Sequence, residues 1–106
     1  MDKKPLEKEI KKFISKVKLE LKPEKIILFG SRAKGDYWKR SDYDFIIVSP
    51  KFKGMYWLKR ISKVIRLWDA LADIDVLAYT PKEFEDKKKT SSVVRNAFKH
   101  GKLIAG

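Results

Sequence analysis

Leu6, Ile10, Phe13, Ile14, Val17 and Leu21 recur at helical spacing between lysines and glutamates, with Pro5 and Pro23 at either end. This predicts an amphipathic helix over Leu6 to Leu21. The run Lys25-Ile26-Ile27-Leu28-Phe29 is continuous and apolar and closes at Gly30, the pattern of a strand buried on both faces. Residues 31–41 are polar, basic and glycine-containing, so a helical turn and a loop are expected there. Asp42-Tyr43-Asp44 alternates before Phe45-Ile46-Ile47-Val48, which predicts a second strand that breaks at Ser49-Pro50. From Met55 to Ala72 the apolar positions Leu58, Ile61, Val64, Ile65, Trp68 and Leu71 mark what should be the longest helix, with Lys59, Arg60, Lys63 and Arg66 on its other face. Ile74 to Tyr79 reads as a third strand, and Thr80-Pro81 opens a short helix through Phe84. Lys87-Lys88-Lys89 is expected in a solvated loop. Ser91 or Ser92 caps a last helix that stops at Gly101, and Lys102 to Ala105 forms a short trailing strand. The order predicts an α/β chain, a small sheet covered by helices, in one domain over residues 1–106.

Composition narrows the chemistry. The chain has 106 residues and no cysteine, so disulfides, zinc ribbons, iron–sulfur clusters and thiol nucleophiles are excluded. Its one histidine, His100, cannot build a His-rich metal site or by itself complete a Ser-His-Asp arrangement, so any metal must be held by oxygens. Neither apolar run approaches the about 20 residues of a membrane span, and the charged start Met1-Asp2-Lys3-Lys4 has no leader pattern. A cytoplasmic protein without membrane contact is expected. The Lys-rich composition, with no Gln and one Asn, matches the bias of heat-adapted proteins and points to a thermophile.

The candidate chemistry lies in Gly30-Ser31, ten further residues, Asp42-Tyr43-Asp44, and another acid at Asp75. Residues two apart on a strand share a face, so Asp42 and Asp44 pair their carboxylates, and a neighbouring strand carrying Asp75 adds a third. Three such carboxylates can hold two Mg²⁺ ions about 3.5–4 Å apart, as phosphoryl-transferring two-metal sites require. Gly30 permits a turn that a side chain would obstruct, and Ser31 offers a hydroxyl and an N–H where phosphate is favoured. Each part also has an ordinary reading: Gly-Ser as a plain turn, the acids as solvated or lysine-paired groups. The combination favours a site, because both acid positions adjoin apolar residues and a buried carboxylate needs a cation. Asp73 competes with Asp75 for the third position; Asp75 is preferred because Ile74 and Val76 place it inside the sheet.

Leu28-Phe29-Gly30-Ser31-Arg32-Ala33-Lys34-Gly35-Asp36 and Ser41-Asp42-Tyr43-Asp44-Phe45-Ile46-Ile47 resemble the signature of the DNA polymerase β-like nucleotidyltransferases, most closely the minimal, single-domain ones. The resemblance spans about Leu6 to Tyr79 and implies a small mixed β-sheet flanked by helices, an α+β fold. It implies that Gly30, Ser31, Arg32 and Lys34 bind the triphosphate of ATP. It further implies that Asp42, Asp44 and Asp75 hold two Mg²⁺ ions, with Asp75 helping to deprotonate the acceptor hydroxyl.

The chain has no room for the helical acceptor-binding domain of larger relatives. Minimal nucleotidyltransferases commonly pair with a small helical HEPN protein, an RNase toxin, and some add AMP to its tyrosine. The resemblance therefore implies an antitoxin that adenylylates a HEPN toxin within a hetero-oligomer. The alternatives are a non-catalytic antitoxin that only covers its partner, or a nucleotidyltransferase subunit acting on RNA or a small molecule. Nucleic acid is the less favoured partner; it draws on the net charge of +12 and on Tyr37, Trp38, Tyr56 and Trp57.

Overall fold

In a computed structural model that describes residues 4–30, 43–70 and 72–105, four helices, a 3₁₀ turn and four strands follow one another. They are α1 (Lys4–Leu21), β1 (Lys25–Phe29), β2 (Tyr43–Val48), the 3₁₀ turn (Pro50–Phe52), α2 (Trp57–Ile65), β3 (Ile74–Tyr79), α3 (Pro81–Thr90), α4 (Ser92–His100) and β4 (Lys102–Ala105). Ser31, Arg32, Lys34, Tyr37, Trp38, Asp42 and Leu71 lie outside the described residues.

The strands form one mixed sheet in the order β3-β2-β1-β4. β1 runs antiparallel to both β2 and β4, whereas β2 and β3 are parallel. The expected mixed sheet flanked by helices is therefore what the chain forms. Strand alternation divides the apolar residues into two cores. On one face Ile26, Leu28, Phe45, Ile47, Val76 and Ala78 pack with Phe13, Val17 and Leu21 of α1 and Val64 of α2. On the other, Ile27, Ile46, Val48 and Tyr79 pack with Phe84, Val94 and Ala97 of α3 and α4. Ser49, fully buried, ties the edges of this arrangement: its hydroxyl donates to the Leu21 carbonyl and accepts from the Lys51 N–H. The last turn of α1 is thereby joined to the end of β2.

Two helices depart from the sequence expectation. α2 ends at Ile65, seven residues short of Ala72, and α1 is the longest helix instead. The chain tightens at that point, with the Leu67 and Trp68 N–H groups donating to the Val64 and Ile65 carbonyls. Trp68 still reaches the core, edge-on to Phe13 at 5.0 Å between ring centroids, while its indole N–H donates to the Ala72 carbonyl at 2.8 Å. The apolar period thus continues through a turn that is no longer helix. α3, by contrast, runs on to Thr90, so Lys87, Lys88 and Lys89 are helical rather than in a loop. Thr80 and Glu83 form a capping box at its start, and Lys88 lies over the Phe98 ring at 4.3 Å while pairing with Glu85 at 3.0 Å.

Arg60 clamps α2 to β3 and α3. Its guanidinium is buried, donating to the Met55 carbonyl at 3.0 Å, to the Ala78 carbonyl at 3.1 Å and to both Glu83 carboxylate oxygens. Replacing it by methionine strands the buried Ala78 carbonyl, whereas Glu83, half-exposed, can rehydrate. Arg60→Met is expected to lower the unfolding free energy in urea by about 2–3 kcal/mol. An unchanged denaturation midpoint would contradict the clamp.

The same contact sets a pH dependence. The hydrogen bond from Arg60 holds the Glu83 carboxyl below its ordinary value of 4.5, against the opposing effect of burial and with help from Thr80. A carboxylate held low stabilises the fold above its unfolded pKa and loses that contribution as pH falls through the folded value. The melting temperature of the native chain is expected to fall below about pH 4.5 more steeply than that of Glu83→Gln, which should start lower at neutral pH. Parallel melting profiles for the two would contradict this.

Candidate active site

β1 ends by delivering Gly30 to a backbone conformation, φ +75°, that favours glycine. The residue before it, Phe29, is the register partner of Asp44 on β2. A side chain at Gly30 has no room: its Cβ would collide with the Asp44 carboxylate and stand 3.3 Å from the Asp44 Cγ. The glycine is thus required by the turn and by the carboxylate that occupies the adjoining space.

Asp44 is half-buried and sits in register with Asp75 on the parallel neighbour β3. By alternation with Ile46 and Val48, and with Leu77 and Tyr79, both acids fall on the α3/α4 face of the sheet. Gly30, Asp44 and Asp75 therefore line up across three adjacent strands at one end of the sheet, with about 4.8 Å between neighbouring strands.

Asp75 differs from expectation in its surroundings. β3 is an edge strand, so Ile74 and Val76 do not enclose Asp75, and its side chain is exposed. Asp73 precedes the strand; its carbonyl accepts the Tyr43 N–H at 2.9 Å and fixes the start of β3 against β2. Among the described residues no group of three or more acidic or histidine side chains is gathered as a metal site. Asp42, the third expected carboxylate, is outside them, as are Ser31, Arg32 and Lys34.

A cleft of about 610 Å³ opens beside Gly30, between the end of β1 and α4. Among the described residues, Phe29 and Val93 line it with apolar groups and Asn96 and His100 with polar ones. From the sequence, His100 counts only as a single histidine that cannot build a His-rich metal site, and Asn96 has no role. The missing signal is Gly101. A Cβ there would collide with the Ala97 carbonyl and stand 2.9 Å from Ile27 and 3.0 Å from the Leu28 carbonyl, so glycine lets the end of α4 approach β1. Tyr56 and Trp57 separate as well: Tyr56 is 86% exposed, whereas Trp57 packs on Tyr79 at 5.6 Å between ring centroids. The Tyr79 hydroxyl in turn is pushed above its ordinary pKa by burial and by the charge of Glu83.

Comparison with known proteins identifies a family and relatives. The family model described as polymerase beta, nucleotidyltransferase matches residues 8–106. Two proteins of Methanocaldococcus jannaschii, each named a putative protein adenylyltransferase, are similar to the chain. One is 32% identical over 100 residues, covering 92% of this chain and 96% of the relative. The other is 45% identical over 60 residues, 57% of each. Among solved structures, a putative nucleotidyltransferase from Sulfolobus solfataricus superposes with a TM-score of 0.62 at 26% identity, covering 91% of this chain and 76% of that one. BolA1 from Arabidopsis thaliana, at 22% identity and a TM-score of 0.58 over 71% of this chain and 94% of that one, shares the fold alone.

Proposed function

From the membership of this chain in the polymerase beta nucleotidyltransferase family, we propose that it transfers AMP from ATP to a hydroxyl group of a protein partner, with Asp44 and Asp75 as catalytic carboxylates. The observation that carries this reading is the alignment of Gly30, Asp44 and Asp75 across three adjacent strands. The names of the two archaeal relatives support a protein as the acceptor.

The residues present fit a divalent cation. Asp44 and Asp75 offer hard carboxylate oxygens from neighbouring strands, the donors that Mg²⁺ takes. Asp42, with its two-residue spacing from Asp44, completes the set that the family resemblance implies. Mg²⁺, when bound, supplies stabilisation of the charge on the attacking and leaving oxygens.

The chain's own part is positional and acid–base. Gly30 brings the backbone turn beside Asp44 at the edge of the cleft, and Ser31, Arg32 and Lys34 follow it in sequence as the triphosphate contacts that the family resemblance implies. Asp75, exposed on the edge strand, is open to an acceptor arriving from outside. Its carboxylate takes the proton of the acceptor hydroxyl as that oxygen forms a bond to the α-phosphorus. The bond between the α-phosphorus and its bridging oxygen to the β-phosphate breaks, and pyrophosphate leaves with the electron pair.

The acceptor in this reading is a tyrosine of a HEPN-type toxin, and the modification makes the chain an antitoxin working in a hetero-oligomer. Intact-mass spectrometry of such a partner, co-expressed with the native chain or with Asp42→Ala plus Asp44→Ala, tests it. A tyrosine-borne AMP that appears only with the native chain is the expected result. An unmodified toxin neutralised equally by both forms would replace the enzyme with a binding antitoxin.

A further inference from the structure

α2 carries apolar residues on two sides. Its inner side is committed to the fold: Val64 is buried in the core, and Arg60 is locked to the Ala78 carbonyl and to Glu83, so the helix cannot turn about its axis. Leu58, Ile61 and Ile65, spaced by three and four residues, form a second row. That row faces outward, with Leu58 76% and Ile65 45% exposed and Ile61 half-buried between them. Tyr56 and Trp57, both exposed, extend it past the start of the helix.

A basic row runs beside the apolar one. Lys59, Lys63 and Arg66 are spaced by four and three residues, and all are exposed. Each follows or adjoins a member of the apolar row, and successive residues stand about 100° apart around a helix, so the two rows are neighbours on the outer surface. No Asp or Glu occurs from Phe45 to Trp68, a stretch that holds six Lys and Arg, although the whole chain has 14 acids to 26 bases. Among the described residues none of Lys59, Lys63 and Arg66 is in an ion pair.

We propose that this side of α2 is a docking surface for an acidic amphipathic helix of another protein. The incoming helix sets its apolar stripe on Leu58, Ile61 and Ile65 and a row of Asp or Glu along Lys59, Lys63 and Arg66. Charge complementarity selects that occupant. A second copy of the chain, meeting α2 about a two-fold axis, would bring the basic rows of both together with no acid between them. Nucleic acid would satisfy the basic row but offer phosphates to Leu58 and Ile65, which have no ring on which a base could stack. A membrane surface takes a helix whose whole apolar face is free to sink into it, whereas here Val64 is in the core and one short row is left. α2 packs on the face of the sheet opposite Asp44 and Asp75, so the docked helix leaves the candidate active site open.

Fluorescence anisotropy with two labelled, lactam-stapled helical peptides of equal length tests the surface. Both peptides carry one stripe of leucines at helical spacing; the flanking row is glutamate in one and lysine in the other. The native chain should bind the glutamate peptide about tenfold or more tightly than the lysine peptide, and high salt should shrink the difference. Leu58→Gln plus Ile65→Gln, which keeps good helix formers, should weaken the glutamate peptide about tenfold. Lys59→Glu plus Lys63→Glu should weaken it as much and reverse the preference between the peptides. Lys87→Glu plus Lys89→Glu, exposed on α3 across the sheet, makes the same change of net charge and should bind as the native chain does. No binding of the glutamate peptide, or an α3 variant weakened as much as the α2 variants, overturns the docking surface. Should phosphatidylserine vesicles or a single-stranded RNA bind through Leu58 and Lys59 in the peptide's place, the rows belong to a membrane or to nucleic acid and the assignment to a protein falls. None of these results bears on AMP transfer, and failure of transfer with peptide binding intact leaves the docking surface standing.

Discussion

Gly30→Ala is expected to reduce nucleotidyl transfer by about 10²-fold or more while leaving a folded protein. Two independent effects meet at this residue. The backbone at φ +75° disfavours any side chain, a strain of about 1–2 kcal/mol that thermal melting should register as a modest loss of stability. The larger consequence is local. The added methyl would overlap the Asp44 carboxylate, which must rotate or withdraw from its place beside the turn. Displacement of a reacting constellation by about 1 Å is enough for losses of 10²-fold. A serine or alanine variant that melts slightly lower yet transfers AMP at the native rate would mean that the carboxylate beside Gly30 has no part in the reaction.

The second large effect is expected for Asp44→Asn. The amide preserves shape and one acceptor oxygen, so packing on the half-buried strand is retained, but the negative charge is lost. Removing an anionic ligand withdraws several kcal/mol of transition-state stabilisation, about 10²–10³-fold in rate. Circular dichroism should be unchanged, and single-turnover assays in saturating ATP should place the loss in the chemical step. Asp75→Asn should behave in the same direction. Asp73→Asn should not, because Asp73 contributes its backbone carbonyl rather than its carboxylate to the start of β3.

These residues also mark how far the amino-acid sequence speaks for itself. Three of the four strands were legible because each is an apolar run closed by a breaker: Gly30 after β1, Ser49-Pro50 after β2 and Thr80-Pro81 after β3. α1 was legible because its apolar stripe is continuous and Pro23 follows its end. α2 was overextended because Trp68 keeps the helical period while packing on the core from a turn instead. α3 was cut short for the opposite reason. Beyond Phe84 it has no apolar stripe to read, and it gains helix from Lys82–Asp86 and Glu85–Lys88 pairs and from Lys88 lying over aromatic rings.

The candidate site divides along the same line. Spacing within a strand is a local property, so Asp44 was identifiable from its neighbours. Register between strands is not local. That Asp44 faces Asp75 and adjoins Gly30 depends on parallel and antiparallel pairings of segments about 14 to 31 residues apart. Apolar neighbours suggested that Asp75 is enclosed, but enclosure depends on strand order, and β3 is at the edge. Asn96 and His100 were harder still, since their place follows from how closely Gly101 lets α4 approach β1.

The most direct test of nucleotidyl transfer at this site uses ATP labelled at the α-phosphate and, in parallel, ATP labelled at the γ-phosphate, each with Mg²⁺, the protein and its co-purified partner. The account predicts partner labelling from the α-position only, dependent on Mg²⁺ and lost in Asp44→Asn. Labelling from the γ-position, or α-labelling that persists undiminished in Asp44→Asn, would contradict it.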